Sequence, residues 1–257
     1  MKACYRDSHV GTAVLATMLI THRLWRTWRL VDAYIVLSEF ARRKLIAGGV
    51  PSSHLFVKPN CLTPDPGMRV GFGEYALFVG RLSPEKGIKT LLAAWARVPA
   101  GKLKIVGEGA LRKAVEQTNI PNVEFLGPQS SETVMSLIEA AAFLVLPSEC
   151  YENFPRVIVE AFAKGVPVLG SRIGSMEELI EDGQTGVLFR TGDVDDLANK
   201  ADWLFTHPDQ LQRMSDGARR EFEAKYTDEQ NYQQLMQIYC SATSVSKGRV
   251  AYAMGGS

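Results

Sequence analysis

The chain has almost no charge of one sign in excess. Its 29 Lys and Arg face 28 Asp and Glu, a formal net charge of +1 over 257 residues. No global field recruits nucleic acid or an anionic surface, so nucleic acid is not expected as a partner. Histidine and cysteine are scarce, four of each. Cys4, Cys61, Cys150 and Cys240 are scattered without a CxxC, which reads as reduced thiols in a cytoplasmic, reducing compartment rather than a disulfide framework. His9, His22, His54 and His207 form no metal-ligand spacing, so no metal is expected. Long apolar runs are missing too. The uncharged stretch HVGTAVLATMLITH falls short of the roughly 20 residues that span a bilayer, and Asp7 sits badly in the n-region of a signal peptide. It reads as a buried helix of a domain. Two phosphate-binding fingerprints are also absent. There is no GxxxxGK[ST], and KIVGEGALR carries Arg112 where a dinucleotide motif needs its third glycine.

What is present is alternation. With 46% hydrophobic and 22% charged residues the composition is ordinary for a globular chain. From residue 75 short β-rich runs recur: YALFVG (75–80), KLKIVG (102–107), VEFLG (123–127), FLVLP (143–147), VPVLG (166–170) and GVLFR (186–190). Helical patterns such as KTLLAAWARV, SETVMSLIEAA and PRVIVEAFAKG lie between them. Strands apolar at successive positions are buried on both faces, which predicts an α/β fold with a Rossmann-like doubly wound parallel sheet. Ahead of it, DAYIVLSEFARRKLIAGGVPSSHLFVKPN reads strand, helix, strand, with Ser38 as N-cap and Gly48-Gly49 as the stop. NCLTPDPGMRVGFG has the composition of a linker. Two or three strands make no stable sheet domain alone, so residues 1–68 read as an incomplete Rossmann-like remnant and linker. The sheet domain is expected over 69–226. Residues 227–257 are expected to form a helix crossing back toward the N-terminal segment and a disordered tail. VLATMLI and AYIVL should leave an exposed apolar patch.

Such sheets bind ligands in the loops at their strands' carboxyl ends. FVGRLSPEKGIKTLL brings Gly80, Arg81, Lys86 and Gly87 from a strand into a helix. Close backbone approach, open helix N–H groups and two cations suit a diphosphate, although a turn with solvated cations has the same composition. Asp193 and Asp195 form a DxD that could hold a metal, but they open an amphipathic helix, where capping is the better reading. In ECYENFPRVIVEAFAKG, Glu152 precedes NFP, Pro155 suits the first helical position, and Glu160 interrupts an apolar run. A buried carboxylate needs partners, and a sugar diol offers two hydroxyls. An ordinary polar face, with Arg156 and Lys164 one turn to either side, remains the alternative.

Together GRLSPEKG, ENFPRVIVE, GVPVLGSRIGSMEELIEDGQTGVLF and KYTDEQNYQQLMQIY resemble the donor half of the retaining family-four glycosyltransferases, which have the GT-B architecture of two Rossmann-like domains facing a cleft. The resemblance covers residues 30–242. It implies transfer of a sugar from a UDP-, GDP- or ADP-linked donor to a glycan or lipid-linked acceptor, with retention of configuration. It also implies a cytoplasmic protein peripheral on the inner face of the membrane. Arg81 and Lys86, beside Gly80, match the pair that neutralises the diphosphate. Glu152 matches the first glutamate of E-x7-E, against the transferred sugar, and Glu160 the second, on the ribose hydroxyls. Asn153 and Phe154 match the backbone amides facing sugar and phosphate, and Leu126 and Gly127 the base-contacting loop. Glu178 matches a recurrent acidic position without a physical role. Glu152, Arg81 and Lys86 would carry the chemistry, fixed cations replacing a divalent metal. The family's donor-facing histidine has no match among the four here, and a donor-binding fragment without transfer is the alternative.

Overall fold

The computed structural model describes residues 8–254 apart from Phe72 and Ala100, with the backbone alone for residues 244–254. It divides into two compact units, one of residues up to Lys58 with those from Gln233 onward, the other Pro59–Tyr232.

The larger unit is built on six parallel strands: β3 (Tyr75–Val79), β4 (Lys102–Val106), β5 (Val123–Gly127), β6 (Ala141–Leu146), β7 (Val168–Ser171) and β8 (Gly186–Phe189). Their spatial order is β5-β4-β3-β6-β7-β8. β3, the first in sequence, therefore lies mid-sheet beside β6, the fourth. The chain builds outward from β3 in one direction and, from β6, in the other. YALF and AAFLVL are buried because both faces are covered. The connections are α3 (Ile88–Trp95), α4 (Arg112–Glu116), α5 (Ser131–Glu139), α6 (Arg156–Ala163) and α7 (Met176–Leu179), followed by α8 (Val194–Thr206) and α9 (Pro208–Lys225). α3 packs with α8, and α6 with α9. A core of Phe78, Trp95, Phe143, Phe189 and Leu197 joins α3 and α8 to the sheet.

Burial fixes α6 firmly. Ile158, Val159 and Phe162 are all buried, and each such side chain contributes roughly 1.5–3 kcal/mol. The segment leading into the sheet is tied to α9 by Asp65, which accepts two hydrogen bonds from Arg219 at 2.8 and 2.6 Å. Arg219 also donates to the Ala163 carbonyl at 2.6 Å, at the end of α6. The hydrogen bond from Arg219 is the main reason the Asp65 carboxyl titrates below its ordinary value.

In the smaller unit, α1 (His9–Leu24) precedes β1 (Tyr34–Val36), α2 (Glu39–Ala47) and β2 (Leu55–Val57). β1 and β2 pair in parallel with Tyr34 opposite Leu55. Ser38 caps α2 by accepting from the Ala41 N–H at 3.1 Å, and Gly48 ends it. One expectation fails here. α1 buries none of its residues, and Val14, Met18 and Ile20 stand exposed. Its apolar side chains run all round the helix, with no charge before Arg23; such a helix calls for cover on every side, and the described residues do not supply it. The expected apolar surface over VLATMLI is thereby present, and Ile35 of β1 is exposed as well.

α10 (Asp228–Met254) begins in the larger unit, where Asn231 donates to the Pro59 carbonyl at 2.9 Å. Its backbone stays helical to Met254, where the sequence reading has a disordered tail. Residues 255–257 lie outside the described residues. Pro155 proves to be the N-cap of α6 rather than its first residue, and α7 is a single turn. Among the described residues, no helix is long and apolar enough to cross a membrane.

Candidate functional site

An open α/β sheet binds where its strand order reverses, at the strands' carboxyl ends. Here that point lies between β3 and β6, and the loops leaving them, 80–87 and 147–155, meet there. One glycine allows that approach, and a second lets the end of β4 come up to the first loop. Gly87 has φ +70°, and a Cβ on it would fall 1.8 Å from the Pro147 carbonyl oxygen. Gly107, at the end of β4, has φ +145°, and its Cβ would fall 1.8 Å from the Gly80 oxygen. The loops are then tied together. The Glu149 N–H donates to the Glu85 carbonyl at 2.9 Å, and the Thr90 hydroxyl to the Glu149 carboxylate at 2.5 Å. Ser83 donates to the Glu85 carboxylate at 2.7 Å, which is the main reason this group titrates below its ordinary value.

Between the loops lies a cleft of about 170 Å³, with Phe78 and Leu146 in its wall and Lys86, Ser148, Glu152 and Arg156 as its charged and polar groups. The Lys86 ammonium donates to Glu152 Oε1. Ser148 donates to the same oxygen at 2.7 Å, and Ser175, from the turn after β7, donates to the Glu152 carbonyl at 2.7 Å. Larger cavities of about 540 and 420 Å³ border Lys102, Lys104 and Glu124, at the amino ends of β4 and β5. They are at the wrong end of the sheet for ligand binding in this fold.

α6 leaves the cleft with no side chain capping its N-terminus, so its first N–H groups are open to an anion. On its second turn stands Glu160. Burial pushes its carboxyl above the ordinary value, with Arg156 pulling the other way. Among the described residues it makes no hydrogen bond or ion pair. Lys164, the other neighbour considered for it, is engaged by Glu139 at 2.8 Å and by the Pro66 carbonyl at 3.1 Å. Neither neighbouring cation is hydrogen-bonded or ion-paired to Glu160.

A profile described as "Glycosyl transferases group 1" matches residues 72–221, more than half of the chain. The chain belongs to the group 1 glycosyl transferases. Among relatives of this family, the sulfoquinovosyl transferase of Arabidopsis thaliana is 27% identical over 218 residues, 77% of this chain and 42% of its own length. A glycogen synthase of Mycobacterium tuberculosis is 32% identical over 175 residues, 65% of this chain and 42% of its own. The chain thus spans less than half the length of these curated relatives. Among solved structures, sucrose-phosphate synthase from Thermosynechococcus elongatus superposes with TM-score 0.74 at 25% identity, covering 88% of this chain and 62% of that one. HepE of Anabaena, crystallised with UDP and glucose, superposes with TM-score 0.73 at 22% identity, covering 82% of this chain and 63% of that one. The α/β fold with its six-stranded parallel sheet is that of the GT-B glycosyltransferases.

In this group 1 sheet the predicted residues are distributed unevenly. Lys86 and Glu152 line the cleft. Gly80 and Arg81 do not, and Arg81 stands exposed, close enough to Glu85 to help lower its pKa. Asn153 is exposed, and Phe154 is buried edge-on against Tyr226, centroids 6.2 Å apart. Leu126 and Gly127 end β5, two strands away from β3, where Gln129 donates to the Leu126 carbonyl at 2.6 Å. Glu178 is exposed on α7. Asp193 caps α8 by accepting from the Asp196 N–H at 2.9 Å, and Asp195 pairs with Arg97. Among the described residues, no group of three or more His, Cys, Asp or Glu side chains could hold a metal. Sequence reasoning missed Ser148, Ser175 and the place of Arg156 in the cleft. The available signal for Ser148 was a serine just past a buried strand and four residues before Glu152. Ser175 had none, since its partner is a backbone carbonyl 23 residues away.

Proposed function

We propose that the chain is a retaining family-four glycosyltransferase that binds a nucleotide-diphosphate sugar at the β3–β6 switch point and transfers the sugar to a glycan or lipid-linked acceptor. The observation that carries this reading is Glu160, an unpaired half-buried carboxylate on the helix whose open N-terminus borders the Lys86–Glu152 cleft. A ribose diol supplies the two donors it lacks. Lys86 has three N–H donors; with one on Glu152, two remain for the diphosphate, and Arg81 approaches from the exposed rim. Glu152 then faces the sugar, the amides of Asn153 and Phe154 face sugar and phosphate, and Leu126 and Gly127 meet the base. Residues 69–226 are the donor-binding domain in this reading, 1–68 belong to the acceptor side and linker, and 227–257 form the crossing segment. UDP with glucose in the Anabaena structure supports a UDP-linked donor, and likeness to a glycogen synthase supports a glycan acceptor. We place the protein in the cytoplasm, peripheral on the membrane through its exposed apolar α1 and the arginines that follow it.

In the transfer step the bond from anomeric carbon to diphosphate oxygen breaks and its electron pair goes to the diphosphate. Lys86, Arg81 and the α6 N-terminus stabilise that charge, which leaves no task for a divalent metal. The acceptor oxygen bonds the anomeric carbon on the same face, and its proton passes to the departing diphosphate. Calorimetric titration with UDP, GDP and ADP, with and without EDTA, tests the reading. Saturable binding of one nucleotide, unchanged by chelation, is expected. Failure of all three to bind overturns the site, and a large loss on chelation overturns metal independence.

A further inference from the structure

We propose that Ser148 and Ser175 are positioning residues that aim Glu152, leaving it one directed acceptor for a hydroxyl of the donor sugar. The inference rests on the donor-binding reading of the cleft. Both serines are buried, Ser148 at 3% exposure and Ser175 at 0%, and both hydroxyls reach the same residue. A carboxylate and a carbonyl only accept, so each serine is the donor in its bond. They come from different places, Ser148 from the end of β6 and Ser175 from the turn that opens α7. One holds the carboxylate of Glu152 and the other its backbone, so side chain and loop are fixed together.

The pattern on the carboxylate is asymmetric. Ser148 and Lys86 both donate to Oε1, and among the described residues Oε2 receives no hydrogen bond. Two donors from the loops after β6 and β3 hold one oxygen and thereby set the plane of the group. Oε2 is the acceptor that remains. A carboxylate free to turn would accept from water or from many hydroxyl arrangements; one held in this way selects a sugar hydroxyl at one position. Ser148 reaches the diphosphate only through Lys86, with which it shares Glu152 Oε1, so its loss falls mainly on sugar recognition.

The test is the ratio of affinities for a nucleoside diphosphate and its sugar conjugate, measured by calorimetry for UDP against UDP-glucose and GDP against GDP-mannose. Wild type should favour one conjugate. Ser148→Ala should lower the preference about tenfold, the effect of one hydrogen bond to a charged group, and change the affinity for the bare diphosphate by much less. Ser148→Cys, with a weaker donor of similar volume, should lie between, and Ser175→Ala should shift the preference in the same direction. Equal loss for diphosphate and conjugate in Ser148→Ala would show a merely structural serine and overturn the proposal. So would a wild-type protein that binds diphosphate and conjugate equally. Binding of none of the four would instead overturn the donor-site reading, and this inference with it.

Discussion

Glu160 shares α6 with Ile158, Val159 and Phe162, all buried, and the same burial that fixes the helix raises the carboxyl's pKa. An acid whose folded pKa lies above its unfolded value, about 4.3 for Glu, holds its proton more tightly when folded. Its contribution to stability is full below that unfolded value and is lost as pH rises through the folded one. Glu160→Gln removes this dependence, so the variant should match wild type in acid and exceed it at neutral pH in urea-unfolding midpoints. Nucleotide affinity should run the other way, because a diol donates best to the ionised form. Wild-type affinity should fall as pH drops through the raised pKa, and the variant's should stay flat; identical pH profiles would contradict the assignment. This residue was legible because a carboxylate interrupts an apolar run. Ser148 and Ser175 were not, because a serine's partner cannot be read from its neighbours when that partner comes from another loop.

The loops after β3 and β6 depend on a contact that only glycine permits. At Gly87 the positive φ strains any side chain, and the Pro147 oxygen occupies the place of its Cβ. Gly87→Ala should therefore push the loops apart, at a cost of at least about 2 kcal/mol. It should also weaken nucleotide binding, since Lys86 precedes it directly. Urea midpoints and calorimetry read both effects, and a variant with wild-type values in each would show that the loops are not coupled. Among elements, those bounded by a clear change of pattern were the most legible. β3 and β5 begin where their apolar runs begin, and α8 and α9 follow their periodic stretches. SMEELIEDG gives only the single turn of α7, because Glu181–Gly186 closes on itself through the Gly183 N–H to Gly186 carbonyl bond at 2.8 Å. α1 was misread because an all-round apolar helix looks alike in sequence whether or not a partner covers it.

Across the whole molecule, alternation of strand and helix announced a parallel sheet, but not which strands are neighbours. That order follows from β3 pairing with both β4 and β6, and it alone brings Lys86 to Glu152 across 66 positions of sequence. The motifs supplied candidate residues, and the topology set which of them meet. In the proposed reading this site divides its two glutamates, Glu160 for the nucleotide and Glu152 for the sugar. Calorimetry of wild type, Glu160→Gln and Glu152→Gln with UDP and UDP-glucose tests it most directly. Glu160→Gln should weaken both ligands about tenfold or more, as loss of a charge-assisted hydrogen bond requires. Glu152→Gln should spare UDP and abolish the preference for UDP-glucose. Equal effects of the two substitutions on UDP, or none from either, would contradict the account.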